Sequence, residues 1–226
     1  MLYLIITILL LAFAYWPQWW VKRTINAHNS TLTTLSGTGG ELAQHLIERF
    51  SLKTTVELCE EGQDHFDPGS NTVRLSPRFF HSASIAAVAV AAHEVGHALQ
   101  YSRGERIFTL REKYLPIGMG LRKVGIGMLM LVPIIGLVLK APILIGLYIA
   151  ICLLLQLAGV ACYLIVLPEE WDASFNKALP ILREGYISPD ELMGAEKVLK
   201  AAALTYAAAA LADMVNLGRW WLVLRR

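Results

Sequence analysis

Charged residues are scarce in this sequence. They make up 17% of its 226 residues, hydrophobic residues make up 55%, and the formal net charge at pH 7 is only +2. In an ordinary soluble domain about 25% of the residues are charged. Together with a mean hydropathy of +0.49, the composition argues against a soluble domain and indicates a membrane protein in contact with the lipid bilayer. The small net charge also argues against a nucleic-acid partner.

Cysteine is scarce as well. Cys59, Cys152 and Cys162 are odd in number, and no two of them form a Cys-x-x-Cys pair. Two of the three lie in apolar runs. We therefore expect three reduced thiols, which excludes a disulfide framework or a cysteine metal site. The sequence also lacks an internal repeat and a low-complexity tail.

The first long apolar run covers residues 2–21 and contains no charged residue. About 20 apolar residues suffice to cross the hydrocarbon core of a bilayer. Trp19 and Trp20, followed by Lys22 and Arg23, are typical of a membrane interface, and the positive charges favour the cytoplasmic side. A cleaved signal peptide is the alternative, but the positive region that should precede its apolar core is missing. We predict an uncleaved transmembrane anchor over residues 2–21.

The second apolar block is about twice as long as one membrane span and is interrupted at residues 140–142. We predict a transmembrane hairpin over residues 116–167, with one span on each side of this break. A hairpin returns the chain to the side of the membrane that it left. Residues 168–200 would therefore face the same side as residues 22–113.

Residues 201–224 form a last apolar stretch, which Asp213, Asn216 and Arg219 interrupt at every third position. On a helix these three residues lie along one stripe. We predict a fourth transmembrane helix whose polar stripe faces the other helices. An amphipathic helix that lies on the membrane or between the other helices is the alternative.

Residues 22–113, between the anchor and the hairpin, have the pattern of a small folded domain. Apolar residues recur at helical spacing over residues 41–50, and β-branched runs predict strands at 54–58 and 71–76, separated by a polar loop. An apolar helix follows and begins near Ser84. The second strand would either cover that helix or offer a sheet edge on which a peptide binds as an added strand.

This helix contains a His-Glu-x-x-His motif at residues 93–97. One helical turn separates His93 from His97, so both rings share a face and can bind one Zn²⁺. Glu94 lies beside them, where it can take a proton from a zinc-bound water. Two histidines with a purely structural role are the alternative, but a charged residue is rarely buried in an apolar helix without a partner. Gly96 lowers helix propensity and is expected where another segment approaches closely.

A catalytic zinc site needs a third protein ligand and an open position. The extended pattern that ends in a third histidine fails here, because Gln100 and Arg103 stand where it requires Gly and His. A carboxylate that follows the hairpin is the alternative third ligand, although Glu169 and Asp172 would also suit a helix cap. The residues alone leave these candidates open: His28, His45, His65, His81, Glu169, Glu170 and Asp172.

Several runs carry a more specific pattern. They are Asp64-His65-Phe66-Asp67-Pro68, Thr72-Val73-Arg74-Leu75-Ser76, the run from Ser84 to Ala98, Leu167-Pro168 with Glu170 and Asp172-Ala173-Ser174, and Leu199 with Ala201-Ala202-Ala203-Leu204-Thr205-Tyr206. Together they resemble the YugP-type membrane zinc metallopeptidases over nearly the whole chain. The resemblance implies a zinc peptidase of the Glu-zincin kind with Glu170 as the third ligand.

More distant membrane proteases, of the HtpX and CAAX-processing type, carry Glu-x-x-Ala-Asp at this second motif. Here Ser174 replaces the aspartate that would orient a ligand histidine. Asp172 and Asp67 are the candidate partners that remain for that role.

We therefore expect a mainly α-helical membrane protein with zincin-like catalytic helices, a small β-sheet and about four transmembrane helices. The expected function is that of a zinc-dependent endopeptidase. It would bind one catalytic Zn²⁺ through His93, His97 and Glu170, with Glu94 as the general base.

The substrate would be a protein or peptide, including membrane-proximal segments, and the site would face the cytoplasm from a bacterial inner membrane. His65, His81 and Tyr206 are candidate donors to the oxyanion. A catalytically inactive zinc-binding scaffold or adaptor is an alternative, but zinc binding alone would not require Glu94. A transporter is a further alternative, but the spans are few and no inverted repeat is present.

Overall fold

The computed structural model describes residues 2–209, which form two compact units. The first, which we call the helical unit, comprises residues 2–18, 110–167 and 206–209. The second, which we call the mixed unit, comprises Trp19–Thr109 and Pro168–Thr205. The mixed unit contains both the β-sheet and the His-Glu-x-x-His motif.

The described chain is mainly helical, as predicted. Its α-helices are α1 (Leu2–Ala27), α2 (Gly39–Arg49), α3 (Pro77–Phe80), α4 (Ile85–Ser102), α5 (Phe108–Met130), α6 (Val132–Leu139), α7 (Pro142–Trp171), α8 (Leu179–Arg183) and α9 (Pro189–Ala203). A π-helical segment, Asp172–Ala178, connects α7 to α8. The strands are β1 (Thr55–Leu58), β2 (His65–Asp67) and β3 (Thr72–Leu75).

The central strand of the sheet is β3, because the strand order is β1-β3-β2. It runs parallel to β1 and antiparallel to β2. The strand predicted over residues 71–76 is therefore not a sheet edge, and the two edges belong to β1 and β2. Strand β2 lies in the segment predicted as a polar loop. Only Phe66 of its three residues is apolar and buried, and a single apolar residue gives no alternating pattern.

Helix α4 forms much of the core of the mixed unit. The side chain of Ser84 caps its first turn by accepting a hydrogen bond from the backbone N–H of Ala87 at 3.1 Å. Every residue from Ala86 to Gln100 is buried, as expected for a helix that is apolar on all sides. Helices α2 and α9 and the π-helical segment pack around it. The predicted start of this helix near Ser84 is confirmed.

Helix α2 covers the apolar segment predicted over residues 41–50. Thr38 and Glu41 form a capping box, in which each backbone N–H donates to the other side chain, at 2.7 and 3.2 Å. This box lets the helix begin at Gly39, ahead of the predicted start. Leu42 and Leu46 are buried in the same apolar cluster as α4, so α2 packs its apolar face against that helix.

The π-helical segment approaches α4 at Gly96. A Cβ atom at this position would lie 2.8 Å from the carbonyl oxygen of Ala173 and 3.4 Å from its Cα. Contacts of 2.8 Å are too short for a real side chain, so only glycine permits this approach. The expectation that another segment comes close to the motif helix at Gly96 is confirmed.

Helix α7 does not end where the sequence predicts a new helix. The predicted start lies at Pro168, but α7 continues through Pro168 to Trp171 and leads directly into the π-helical segment. Proline removes one helical N–H donor, a loss that neighbouring groups compensate in apolar helices. The sequence rule that treats proline as a boundary therefore fails here. Segments of π-helix often occur at functional sites.

Within the described residues, length and composition give one candidate membrane span, or two if a bent pair of helices is counted as one span. Pro142–Arg183 forms one continuous helix that is long and apolar enough to cross a bilayer. Phe108–Met130 and Val132–Val138 satisfy the same test together as a pair bent by 48°. Pro133 stands in the first turn of α6, and because it has no N–H to donate, it accounts for the bend. The chain turns at Lys140 with a left-handed φ of 46°, which confirms the predicted break.

All four predicted membrane spans stay predictions, and two of them do not overlap the candidates. The anchor predicted over residues 2–21 lies within α1, which extends further, to Ala27. Most of the span predicted over residues 201–224 lies outside the described residues. Four transmembrane helices are therefore not shown, and the two spans of the hairpin correspond to the two candidates.

Replacing Gly96 with Ala is expected to destabilise the mixed unit. The added methyl group would push Ala173 away from α4 at a cost of about 1–3 kcal/mol, which outweighs the gain of ~1 kcal/mol in helix propensity. Thermal unfolding in detergent, followed by circular dichroism, measures the change. Gly127→Ala in α5 is the matched control, because no atom lies within 4 Å of its Cβ position. A parental melting temperature for Gly96→Ala would contradict the requirement for this contact.

Candidate metal centre

Three buried side chains of the mixed unit bring their ligand atoms together. Nε2 of His93 lies 3.1 Å from Nε2 of His97, and Oε2 of Glu170 lies 3.3 Å from the first nitrogen and 3.5 Å from the second. The exposed fractions of the three residues are 4%, 1% and 2%. Within residues 2–209 no other group of histidine, cysteine and carboxylate side chains is arranged to hold a metal ion.

The triangle formed by these atoms fits a tetrahedral zinc ion. Zinc–ligand bonds of about 2.0–2.2 Å place neighbouring ligand atoms of a tetrahedron about 3.3–3.6 Å apart. The separations of 3.3 and 3.5 Å lie within that range, and the separation of 3.1 Å between the two histidine nitrogens is slightly shorter. Two imidazole nitrogens and one carboxylate oxygen form a donor set found in catalytic zinc sites, where the fourth position stays open. The three side chains can therefore hold Zn²⁺.

Two packed helices supply these ligands. His93 and His97 lie one turn apart on α4, so their rings project from one face. Glu170 lies in the last turn of α7, immediately before the π-helical segment. The approach of that segment to Gly96 brings Glu170 to the histidines. The position of Glu170 thus depends on packing between helices and has no local signal around the motif.

The hydroxyl group of Ser174 orients the ring of His93. Its Oγ lies 2.9 Å from Nδ1 of His93 and donates a hydrogen bond to the carbonyl oxygen of Leu199 at 3.1 Å. Since the hydroxyl proton is directed to Leu199, the Nδ1–H of His93 donates to Oγ. Nε2 of His93 then keeps its lone pair for a metal.

The two aspartates proposed for this orienting role are paired with other groups. A hydrogen bond from Arg74 is the main cause that lowers the pKa of Asp67 to about 2. Asp172 accepts a hydrogen bond from Nε2 of Gln100 at 2.8 Å and forms an ion pair with Lys177. The structure therefore corrects the expectation that Asp172 or Asp67 orients His93, because the hydroxyl group of Ser174 is the hydrogen-bond partner of its ring.

Nδ1 of His97 faces two oxygen atoms. Oε1 of Gln100 lies at 3.1 Å and Oε1 of Glu169 at 2.6 Å. The amide nitrogen of Gln100 donates to the carbonyl oxygen of Glu169 at 3.1 Å and to Asp172, so the amide oxygen is the atom that faces the ring. Both neighbours of Nδ1 are acceptors. Nδ1 therefore carries the proton, and Nε2 of His97 is free to bind a metal.

Glu94 follows His93 directly on α4 and is 6% exposed. Its Oε2 is buried and accepts no hydrogen bond from any group within residues 2–209. A buried carboxylate oxygen without a donor is costly. Such an atom is available to accept a proton from a small molecule that enters the site.

The other histidines predicted as ligand candidates have different neighbours. His28 and His65 each contact a main-chain oxygen through Nδ1, at 2.8 and 2.6 Å, and His45 contacts a tyrosine hydroxyl through Nε2 at 2.8 Å. His81 packs its ring against a phenylalanine, with ring centroids 4.9 Å apart. Tyr206, a candidate oxyanion donor, belongs to the helical unit, where it stacks on another tyrosine. The metal group contains none of them.

Sequence reasoning missed the side chains that orient the two rings. Position 100 indicates only that the extended histidine motif fails, yet Gln100 lies three residues after His97 and so shares its face of the helix. Ser174 stands four residues after Glu170, where distant proteases have an orienting aspartate. In both cases the spacing is the signal that points to a contact with a ligand histidine.

All three cysteines are free thiols, as predicted. Burial raises the pKa of Cys59 to about 11, and the negative charges of Asp64 and Glu94 add to the shift. This thiol therefore stays protonated at neutral pH. A protonated thiol is neither a nucleophile nor a metal ligand.

Comparison with known proteins agrees with the donor set. Residues 3–225 match the model of a family described as "Putative neutral zinc metallopeptidase". The chain is 36% identical over 225 residues to "Putative membrane protease YugP" of Bacillus subtilis (strain 168), a match that covers 99% of this chain and 96% of that protein. No solved structure matches. The resemblance inferred from the motifs is thereby confirmed, and the chain belongs to this family of neutral zinc metallopeptidases.

Proposed function

We propose that this protein is a membrane-bound, zinc-dependent endopeptidase that hydrolyses peptide bonds in proteins or peptides. His93, His97 and Glu170 hold one zinc ion, and Glu94 is the general base. The observation that carries the proposal is the buried triangle of ligand atoms at 3.1–3.5 Å. Membership of the zinc metallopeptidase family supports the type of reaction, and the name of the Bacillus relative supports the membrane location.

The residues of the site divide the chemistry between them. When bound, Zn²⁺ supplies a Lewis acid that polarises the scissile carbonyl and lowers the pKa of water at the open position. Glu94 takes a proton from the attacking water at Oε2 and delivers it to the nitrogen of the leaving amine. Ser174 and Gln100 keep the two imidazole rings in the tautomer that leaves Nε2 available.

A substrate segment would bind along β2. This strand is an edge of the sheet and runs antiparallel to its neighbour β3, so its outer edge can pair with an extended peptide. Asp64 immediately precedes β2. Burial raises the pKa of Asp64, hydrogen bonds from Ser76 oppose this effect, and the negative charge of Glu94 raises the pKa further. The start of β2 therefore lies within electrostatic range of the proposed base.

The protein would span a bacterial inner membrane with its site on the cytoplasmic side. Lys22 and Arg23, which follow the first apolar segment, support this orientation, and two candidate spans support the membrane insertion. The membrane segments in this proposal are residues 2–21, 116–167 and 201–224, and the peptidase segments are residues 22–113 and 168–200.

Replacing Glu94 with Gln should abolish turnover without loss of zinc. The amide keeps the shape of the side chain but cannot accept the proton, so hydrolysis of a casein-like substrate in detergent should fall about 10²–10⁴-fold. Elemental analysis should find the parental zinc content. Glu184→Gln, an exposed carboxylate of the same unit that pairs with Arg49, is the control and should keep full activity. Chelator-sensitive hydrolysis at the parental rate in Glu94→Gln would rule out this base, and zinc without hydrolysis in the parent would indicate an inactive scaffold.

Replacing Glu170 with Ala should lower the zinc content of the purified protein. It removes one of three ligands from a site that binds through all of them, and activity should fall with the metal. Elemental analysis after dialysis measures the stoichiometry, with Glu184→Ala as the control. A parental zinc content in Glu170→Ala would assign the third ligand to another residue.

A further inference from the structure

Glu169 is a fully buried carboxylate that the proposed chemistry does not use. Its exposed fraction is 0%, and its Oε1 lies 2.6 Å from Nδ1 of His97. We propose that Glu169 is a positioning residue, which accepts the Nδ1–H of His97 and holds the ring with Nε2 directed at the metal. This inference rests on the metal site proposed above and assigns a second carboxylate of the same helix to a different task.

Two successive residues of α7 contact the two nitrogens of one imidazole ring. Oε2 of Glu170 lies 3.5 Å from Nε2 of His97, whereas Oε1 of Glu169 lies 2.6 Å from Nδ1. Neighbouring side chains on an α-helix diverge by about 100°. Both can reach one ring because the helix end lies against α4, as the close approach of Ala173 to Gly96 shows.

The atoms in contact distinguish the roles of these two carboxylates. The ligand triangle consists of the two Nε2 atoms and an oxygen of Glu170, and Glu169 does not belong to it. Glu169 faces Nδ1, the nitrogen of His97 that carries the proton. A carboxylate at that position accepts a hydrogen bond, fixes the tautomer and makes the other nitrogen a stronger ligand.

A chain of polar side chains fixes the backbone around Glu169. Nε2 of Gln100 donates to the carbonyl oxygen of Glu169 at 3.1 Å and to Oδ2 of Asp172 at 2.8 Å. Lys177 pairs with Asp172 and donates to Oε2 of Glu105 at 2.8 Å. Gln100 thereby connects α4 to the π-helical segment, and Lys177 connects that segment to Glu105, which follows the end of α4. They limit the movement of Glu169 relative to His97.

The charge of the site supports the same assignment. Two buried carboxylates, Glu169 and Glu170, lie close to the ligand atoms. A buried carboxylate is unfavourable unless a positive charge or several donors compensate it. The two positive charges of Zn²⁺ would compensate these negative charges only in part, because Glu94 adds a third buried carboxylate. Loss of the Glu169 charge should therefore lower the affinity of the site for the metal. It should also stabilise the metal-free protein, because it removes an uncompensated buried charge.

Glu169→Gln tests the proposal in the full-length protein in detergent. The affinity for Zn²⁺, measured by competition with a chromogenic chelator, should fall about 10–100-fold. The absorption spectrum of the Co²⁺-loaded variant should change, because the geometry around the metal changes with the ring orientation. The melting temperature of the metal-free variant should equal or exceed that of the metal-free parent. Glu184→Gln is the matched control and should keep the parental affinity and spectrum.

Parental zinc affinity and an unchanged cobalt spectrum in Glu169→Gln would overturn the positioning role. If this variant does not fold, Glu169→Asp carries the test, since it keeps the charge but shortens the reach by one methylene group. We expect Glu169→Asp to bind Zn²⁺ several-fold more weakly than the parent, and parental affinity would overturn the role. Failure of the parent itself to bind Zn²⁺ would contradict the proposed function, whereas tight binding by both proteins would contradict only this inference.

Discussion

The contact between Gly96 and Ala173 is the constraint on which the geometry of the mixed unit depends. A Cβ atom at residue 96 would lie 2.8 Å from the carbonyl oxygen of Ala173, so the two backbones meet without a side chain between them. The carboxylate of Glu170 lies 3.3 and 3.5 Å from the two histidine nitrogens of α4, distances that require the helices to be this close. The alanines of α4 have a similar effect, since small side chains allow other helices to pack closely around it.

Features of the site and fold that neighbouring residues determine could be predicted from the sequence. Local spacing and helix propensity predict the start of α4 near Ser84, the shared face of His93 and His97, and the close approach at Gly96. The break at residues 140–142 follows from an interruption in an apolar run. Each of these predictions concerns residues that are close together in the sequence, within about one helical turn or one turn between helices. Over such short separations the sequence pattern reflects the structure directly.

Features that depend on contacts between distant segments could not be derived in this way. The residues alone leave seven candidates for the third ligand, and only the resemblance to a known family implies Glu170. Strand β2 has one buried apolar residue, Phe66, and it exists because β3 pairs with it. The continuation of α7 through Pro168 into π-helix depends on packing against α4. In each case the tertiary environment overrides the local preference, as for proline within a helix.

The charge of the site gives a physical reason for the hydroxyl at position 174. Oxygen atoms face Nδ1 of both rings: Oγ of Ser174 faces His93, and Oε1 of Gln100 and Oε1 of Glu169 face His97. Glu94, Glu169 and Glu170 already place three buried carboxylates around a site proposed to hold the two positive charges of Zn²⁺. An aspartate at position 174 would add a further buried negative charge without a compensating cation, which is unfavourable. A hydroxyl accepts the same N–H bond and adds no charge.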